Sequence, residues 1–312
     1  MALDIVFMGT PDYAAAALEA LLEAGHEVTA VVTQPDRAKG RSGQVQCTPV
    51  KECAVRHGIA VLQPVRLKAP EAVEELKKYA ADVYVVAAFG QILSKEILAL
   101  PRFGCVNIHA SLLPKYRGAA PINQCIIDGE QETGVTIMQM DAGIDTGDIL
   151  TQKKVIIEDK ETAETLFDKL SQAGAALIVE TLPMIERGEI TPVKQDESLA
   201  GYVKMMDKSR GKIDWASDAV SIERLVRGLN PWPSAYTSCQ GKTVKIWRSD
   251  AVAAEAAQQP GTIVSVGKDF FDVACGSGNL RIYELQLEGK KRMDTKSFLL
   301  GNPWRAGMLL GE

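Results

Sequence analysis

The first half of the chain repeats one pattern: a short run of apolar, largely β-branched residues, a stretch with helical spacing, then another apolar run. Residues 5–8 form such a run and end in Gly9. Residues 13–24 follow, with Ala17, Leu18, Leu21 and Leu22 on one helical face, and stop at Gly25, a residue suited to the end of a helix. Residues 28–33 read as a second strand, 49–57 as a helix, 59–62 as a short apolar piece and 70–79 as a helix. Residues 83–88 and 105–109 read as two more buried strands, 135–140 and 149–157 as a last strand or pair, and 163–187 as a long helix. Apolar strands alternating with helices predict an α/β fold: a Rossmann-like, doubly wound, mostly parallel sheet covered on both faces. Ligands of such sheets sit beyond the carboxyl ends of the strands, so functional residues are expected there and in the loops that follow.

Beyond residue 190 the texture changes. ITPVKQDESLAG is polar and aperiodic and reads as a linker, placed at 190–208 between a first domain at 1–189 and a second at 209–312. In the second, a helix at 219–229 precedes short alternating segments at 235–238, 243–247, 262–266, 271–275 and 280–287, with a break at Gly276-Ser277-Gly278-Asn279. Short strands at near-regular spacing predict a small antiparallel β-barrel.

A chain of 312 residues with 46% hydrophobic residues can bury two such cores without disulfides. No apolar run approaches the roughly 20 residues needed to span a bilayer. The opening run carries Asp4 and reads as a strand, not a signal peptide, so a cytoplasmic protein is expected, without a membrane partner. Six scattered cysteines, no CxxC, no close Cys/His pairing and only three histidines call for no metal centre. The net charge of −5 argues against a generic nucleic-acid binder. It is unevenly spread, however: residues 190–312 carry a net +3 and residues 1–189 a net −8, so the second half can meet a polyanion locally.

Three segments could carry chemistry. On a strand at 105–109, Asn107 and His109 point to one face while Val106 and Ile108 enter the core. An amide and an imidazole aimed together can bind an oxyanion and manage a proton; a satisfied polar pair at a strand end is the plainer alternative. SLLPKYRG at 111–118 follows, a loop whose Lys115 and Arg117 can close over a small molecule or simply form a surface turn. The loop at 141–148, with Asp141, Asp145 and Asp148 and two glycines, can approach a ligand through its backbone; it does not fit a calcium loop. Gly9-Thr10-Pro11 stands where a dinucleotide site would put its glycine fingerprint, and the fingerprint is absent. The stretch 34–51, QPDRAKGRSGQVQCTPVK, carries four cations against one acid and is long for a compact α/β domain.

As an ordered set, NIHASLLPKYRGAAPI at 107–122, ETGVTIMQMDAGIDTGDIL at 132–150, QPDRAKGR at 34–41 and NPWP at 230–233 resemble the methionyl-tRNA formyltransferases, among the folate-dependent formyltransferases, nearly end to end. The resemblance implies transfer of the formyl group of 10-formyltetrahydrofolate to methionyl-initiator tRNA, by a monomer. It implies catalytic roles for Asn107, His109 and Asp145, with Asp145 orienting His109. Folate contacts would come from Ser111, Leu112, Leu113 and Pro114, from Phe89, Gly90, Gln91 and Ile92 around the pterin, and from Asp141. Arg37, Lys39 and Arg41 would meet the tRNA acceptor end, and an OB-like C-terminal barrel would hold the tRNA body. The nearest alternative of the same architecture formylates a sugar-nucleotide amine; an alternative of another class is a non-catalytic tRNA-binding protein.

Overall fold

The computed structural model describes residues 2–39, 44–254 and 258–312. They form two compact units: 1–121, 132–156 and 167–203 in the first, and 122–131, 157–166 and 204–312 in the second. The stretch expected as a linker therefore divides, 190–203 belonging with the first unit.

In the first unit the strands are β1 (Asp4–Gly9), β2 (Glu27–Val32), β3 (Arg37–Lys39), β4 (Gln44–Gln46), β5 (Val61–Leu62), β6 (Val83–Ala87), β7 (Cys105–His109), β8 (Arg117–Gly118), β9 (Glu132–Gln139), β10 (Ile149–Ile156) and β11 (Tyr202–Val203). Helices α1 (Asp12–Glu23), α2 (Pro49–Arg56), α3 (Pro70–Leu76) and α4 (Lys95–Leu98) lie between them; α5 (Pro121–Asp128), which after Pro121 belongs to the second unit, follows β8, and α6 (Ala163–Glu186), of the first unit from Phe167 on, follows β10. A seven-stranded sheet runs in the order β10-β9-β7-β6-β1-β2-β5. The pairs among β5, β2, β1, β6 and β7 are parallel, while β9 and β10 join antiparallel at one edge. The sequence pattern does not distinguish β9 from a parallel strand, because it is as buried as the centre of the sheet, whereas β10 is an exposed edge.

The strand order reverses around β1, which has β2 on one side and β6 on the other. Ile5, Phe7 and Met8 are fully buried there, each contributing roughly 1.5–3 kcal/mol by burial. Gly9 ends β1 because nothing larger fits: a Cβ would stand 2.5 Å from Ala14 Cβ and 3.0 Å from Ala87 O. Helix α2 starts where Thr48 accepts a hydrogen bond from Lys51 N–H and Pro49 fills the first turn. Helix α3 stops at Leu76, short of the expected 79, because Lys78 and Tyr79 bond three residues back in tightened turns. The stretch 34–51 contains the antiparallel pair β3–β4, which its polar composition does not announce.

The second unit holds α7 (Ala219–Gly228), β12 (Ala235–Cys239), β13 (Lys242–Val252), β14 (Ile263–Val266), β15 (Phe271–Ala274), β16 (Asn279–Leu287), β17 (Met293–Asp294) and α8 (Thr295–Gly301). The sheet is antiparallel throughout, in the order β12-β13-β16-β15-β14 with β17 on β16. Its far edges are stitched by residues near 310: Leu310 N–H donates to Gly261 O and Gly311 N–H to Ser238 O. That closure makes the sheet the expected barrel-like body, around a core including Val244, Ile246, Phe271, Leu280 and Phe298. Strand β13 outruns the expected 243–247 because register shifts between Ile246 and Ser249 let it turn and keep pairing with β16.

Candidate active site

β1, β6 and β7 end at one level of the sheet, Gly9 beside Ala87 and Val86 beside Asn107. The residues singled out in the sequence gather at these ends. Asn107 and His109 share a face of β7, with Val106 and Ile108 buried on the other. The loop after β9 brings Asp145 to both. Its Oδ1 accepts a hydrogen bond from Asn107 Nδ2 at 3.4 Å, and its Oδ2 accepts one from Gly118 N–H at 2.8 Å. A carboxylate only accepts, so the nitrogen end of the Asn107 amide is the end that faces it. The side chains of His109 and Asp145 are 7% and 17% exposed, so the pair lies in largely desolvated surroundings.

His109 is oriented differently from the expectation. Its Nδ1 lies 3.7 Å from Asp145 Oδ2, beyond a hydrogen bond. Its Nε2 lies 2.9 Å from the carbonyl oxygen of Tyr116. A carbonyl can only accept, so Nε2 carries a proton and the neutral ring keeps its lone pair on Nδ1, facing the carboxylate side. The orienting group is thus the Tyr116 backbone, and Asp145 supplies charge nearby. Asp145 itself sits at φ +53° and Tyr116 at φ +60°, left-handed conformations that packed surroundings must hold in place.

The loop after β7 is fixed from beneath. Thr136 Oγ1 donates to Ser111 O at 2.7 Å and accepts from Leu113 N–H at 3.1 Å, and Gln152 Nε2 donates to Leu113 O at 3.0 Å. Ser111 is buried and its hydroxyl donates to Lys115 O at 2.7 Å, so it braces the turn and presents no nucleophile. Leu113 is buried, Leu112 and Pro114 half-buried, and the Leu113–Pro114 peptide is cis. Arg117 does not close over a ligand as its sequence position suggested. Its side chain is fully buried, bonding Glu197 at 2.8 and 3.0 Å, Gln195 Oε1 at 3.0 Å and the Tyr202 hydroxyl at 2.9 Å. These partners lie in the polar stretch that had read as a linker.

Beside this, β6 runs into Phe89–Ile92. The carbonyl of the buried Phe89 accepts from Thr10 Oγ1 at 3.2 Å and Gln34 Nε2 at 3.1 Å. Gly90 takes φ +81°, Gln91 ties to Leu67 N–H and Pro64 O, and Ile92 stays 75% exposed. Asp141 spends its carboxylate on its own loop, accepting from Gly143 N–H at 2.9 Å and from the Thr146 hydroxyl. In the basic stretch, Asp36 anchors the base of the β3–β4 pair through Lys51 and Gln63, and these bonds hold its carboxyl below the usual range. Arg37 is exposed on β3, Lys39 ends that strand, and Arg41 lies outside the described residues.

Two family models match the chain: that of formyl transferases over residues 3–182, and that of the formyl transferase C-terminal domain over 205–303. The chain belongs to the formyltransferase family. Among its relatives, the methionyl-tRNA formyltransferase of Lachnospira eligens is 56% identical over 99% of both chains. The methionyl-tRNA formyltransferase of Citrifermentans bemidjiense is 52% identical over 99% of this chain and 96% of that relative. Among solved structures, the sugar 3N-formyltransferase WlaRD superposes with a TM-score of 0.69 over 93% of this chain and 100% of that one, at 19% identity. The N-formyltransferase of Helicobacter canadensis gives 0.68 over 94% and 100%, at 20% identity. At such identities the likeness establishes the fold.

Two more features of this formyltransferase bear on the sequence reading. Cys53 and His57, one helical turn apart, do meet, both at Glu19 of α1, and the three ligand atoms lie within 4.8 Å of one another. Burial pushes the Cys53 thiol up to about 12 and Arg56 already pairs with Glu19, a setting that keeps the thiol protonated and bonded. Among the described residues no helix is long and apolar enough to cross a membrane.

Gly118 yields the prediction most specific to this loop. It takes φ +99°, and a Cβ there would stand 2.5 Å from Val203 O. Gly118→Ala is expected to cost about 1–3 kcal/mol in urea unfolding and to lower turnover with it, since Gly118 N–H holds Asp145. An unchanged unfolding midpoint would contradict the strain.

Proposed function

We propose that this formyltransferase moves the formyl group of 10-formyltetrahydrofolate onto the α-amino group of methionine carried by initiator tRNA, giving N-formylmethionyl-tRNA for translation initiation. The observation that carries the reading is the Asn107–Asp145–His109 cluster at the sheet's carboxyl end. It stands in a chain more than half identical, over its full length, to a methionyl-tRNA formyltransferase.

The chemistry follows from the groups present. The neutral amine attacks the formyl carbon, a C–N bond forms, and the formyl oxygen becomes a tetrahedral oxyanion. Asn107 has a second amide N–H beyond the one given to Asp145, and that donor stabilises the oxyanion. The attacking nitrogen must lose a proton and N10 of the departing folate must gain one as the C–N10 bond breaks. His109, with its Nδ1 lone pair beside a carboxylate, takes and returns that proton, directly or through water, and Asp145 stabilises the imidazolium formed between the two steps. The loops 88–92 and 111–114, pinned by side-chain bonds from Gln34, Gln91, Thr136 and Gln152, bind the folate with their backbone polar groups and apolar side chains.

The acceptor end of the tRNA meets Arg37, Lys39 and Arg41. Residues 209–312 hold the tRNA body, and the net +3 carried by residues 190–312 against −8 in the rest of the chain supports this. The enzyme works in the cytoplasm, as a monomer. Arg37→Ala and Arg41→Ala are each expected to raise KM for the charged tRNA, with a salt slope smaller by about 1, while folate affinity stays unchanged. Equal loss of folate affinity in a binding titration would contradict the assignment. The reaction itself is tested by mass analysis of the amino acid released from the tRNA afterwards: formylmethionine supports the proposal, and methionine with free formate overturns it.

A further inference from the structure

We propose that Gln195, held by the buried guanidinium of Arg117, is a positioning residue for Asp145, so that the polar stretch after α6 is part of the catalytic apparatus. The inference rests on the site reading above and assigns it a further residue.

Asp145 meets Asn107 and His109 from a backbone held in a left-handed turn, φ +53°, in a loop whose own bonds, to Asp141 from Gly143 N–H and the Thr146 hydroxyl, leave the carbonyls of Asp145 and Gly147 to be held from outside. The turn's two carbonyls, of Asp145 and Gly147, converge on one donor: Gln195 Nε2, at 2.8 and 2.7 Å. Both hydrogens of that amide are thereby used. The amide cannot flip, because its Oε1 faces Arg117 Nε at 3.0 Å and a guanidinium only donates. Arg117 is locked in turn by a two-pronged bond to Glu197 and by Tyr202, whose strand β11 pairs with β8. The Glu197 carboxylate is 71% exposed, so one end of this buried cation's pairing faces water. The backbone on either side of Arg117 completes the arrangement, with Tyr116 O holding His109 Nε2 and Gly118 N–H holding Asp145 Oδ2. One residue thus supports two members of the trio, His109 and Asp145, through its neighbours' backbone, and steadies the turn of Asp145 a second time through Gln195. Gln195 bonds to no side chain of the trio, so its effect is on where the carboxylate stands.

Misplacing a reacting group by about an ångström costs on the order of 100-fold. Gln195→Ala in the full chain is therefore expected to lower kcat by about 10–100-fold, with KM for formyl donor and for charged tRNA changing less than about threefold. Gln195→Glu keeps the shape but cannot donate to the two carbonyls, and is expected to lose as much. A merely structural role would lower the unfolding midpoint and the active fraction and leave kcat per active site alone. The deciding measurement is the cycle with Asp145→Asn. Once the carboxylate is gone, adding Gln195→Ala is expected to cost little more, because the group it positions is already lost. The same fold-loss in both backgrounds, or an unchanged kcat for both Gln195 variants, overturns the proposal. If Asp145→Asn itself keeps full turnover, the site reading falls first and takes the proposal with it; a collapse there beside unaffected Gln195 variants sinks only the positioning role.

Discussion

His109→Ala is expected to lower kcat by about 10²–10⁴, the range that a positioned proton-transfer group supplies. The structure assigns the two ring nitrogens different duties, and that division can be tested. Nε2–H is spent on Tyr116 O, a structural bond, while Nδ1 faces Asp145. Glutamine places an amide nitrogen near the Nε2 position, so His109→Gln keeps the bond to Tyr116 O but has no group that titrates in the working range. It is expected to unfold like the parent enzyme and to turn over as slowly as His109→Ala. A glutamine variant with near-normal turnover would show that the imidazole serves only to hold the loop.

Asn107→Ala is expected to lower kcat by roughly 10²–10³, about 3–4 kcal/mol in transition-state stabilisation. Binding of the formyl donor should change little, because the oxyanion exists only after the amine attacks. The side chain is half-buried and its nitrogen end is already drawn to Asp145, so the amide is preorganised and need not reorient during the reaction. Single-turnover kinetics beside a folate titration separate the two quantities. A variant that loses folate affinity at unchanged turnover would make Asn107 a binding group and leave the oxyanion without its donor.

The parts of this enzyme that were legible in its sequence are those that obey short periodicities. Alternation on 105–109 sent Asn107 and His109 to one face, and the register with β6 and β9 places them there. The apolar runs at β1, β2, β6 and β7 marked the sheet because both faces are covered and each position is buried. What could not be read comes from pairings distant in sequence. Gln195 meets carbonyls of Asp145 and Gly147 some fifty positions away, and Arg117 meets Glu197 eighty positions away. A polar, aperiodic segment such as 190–203 carries no local sign that its amides and carboxylates will be used. Arg117 was misread for the same reason: a cation in a glycine-proline loop looks solvated until its buried partners are known. Cys53 and His57, four positions apart on a helix, were within reach of the sequence pattern, but their shared partner Glu19, on another helix, was not.

The central claim, that the acceptor is the amine of methionine on initiator tRNA, is tested most directly by offering acceptors in competition. The intact enzyme would receive labelled 10-formyltetrahydrofolate together with methionine-charged initiator tRNA, uncharged tRNA and an amino-sugar nucleotide, and the label would be followed into each. The account predicts label on the charged tRNA alone, incorporated at least about 100-fold more slowly by Asn107→Ala and His109→Ala. Label on the sugar nucleotide, or formate released with no acceptor labelled, would leave the site chemistry standing and contradict the acceptor assigned to it.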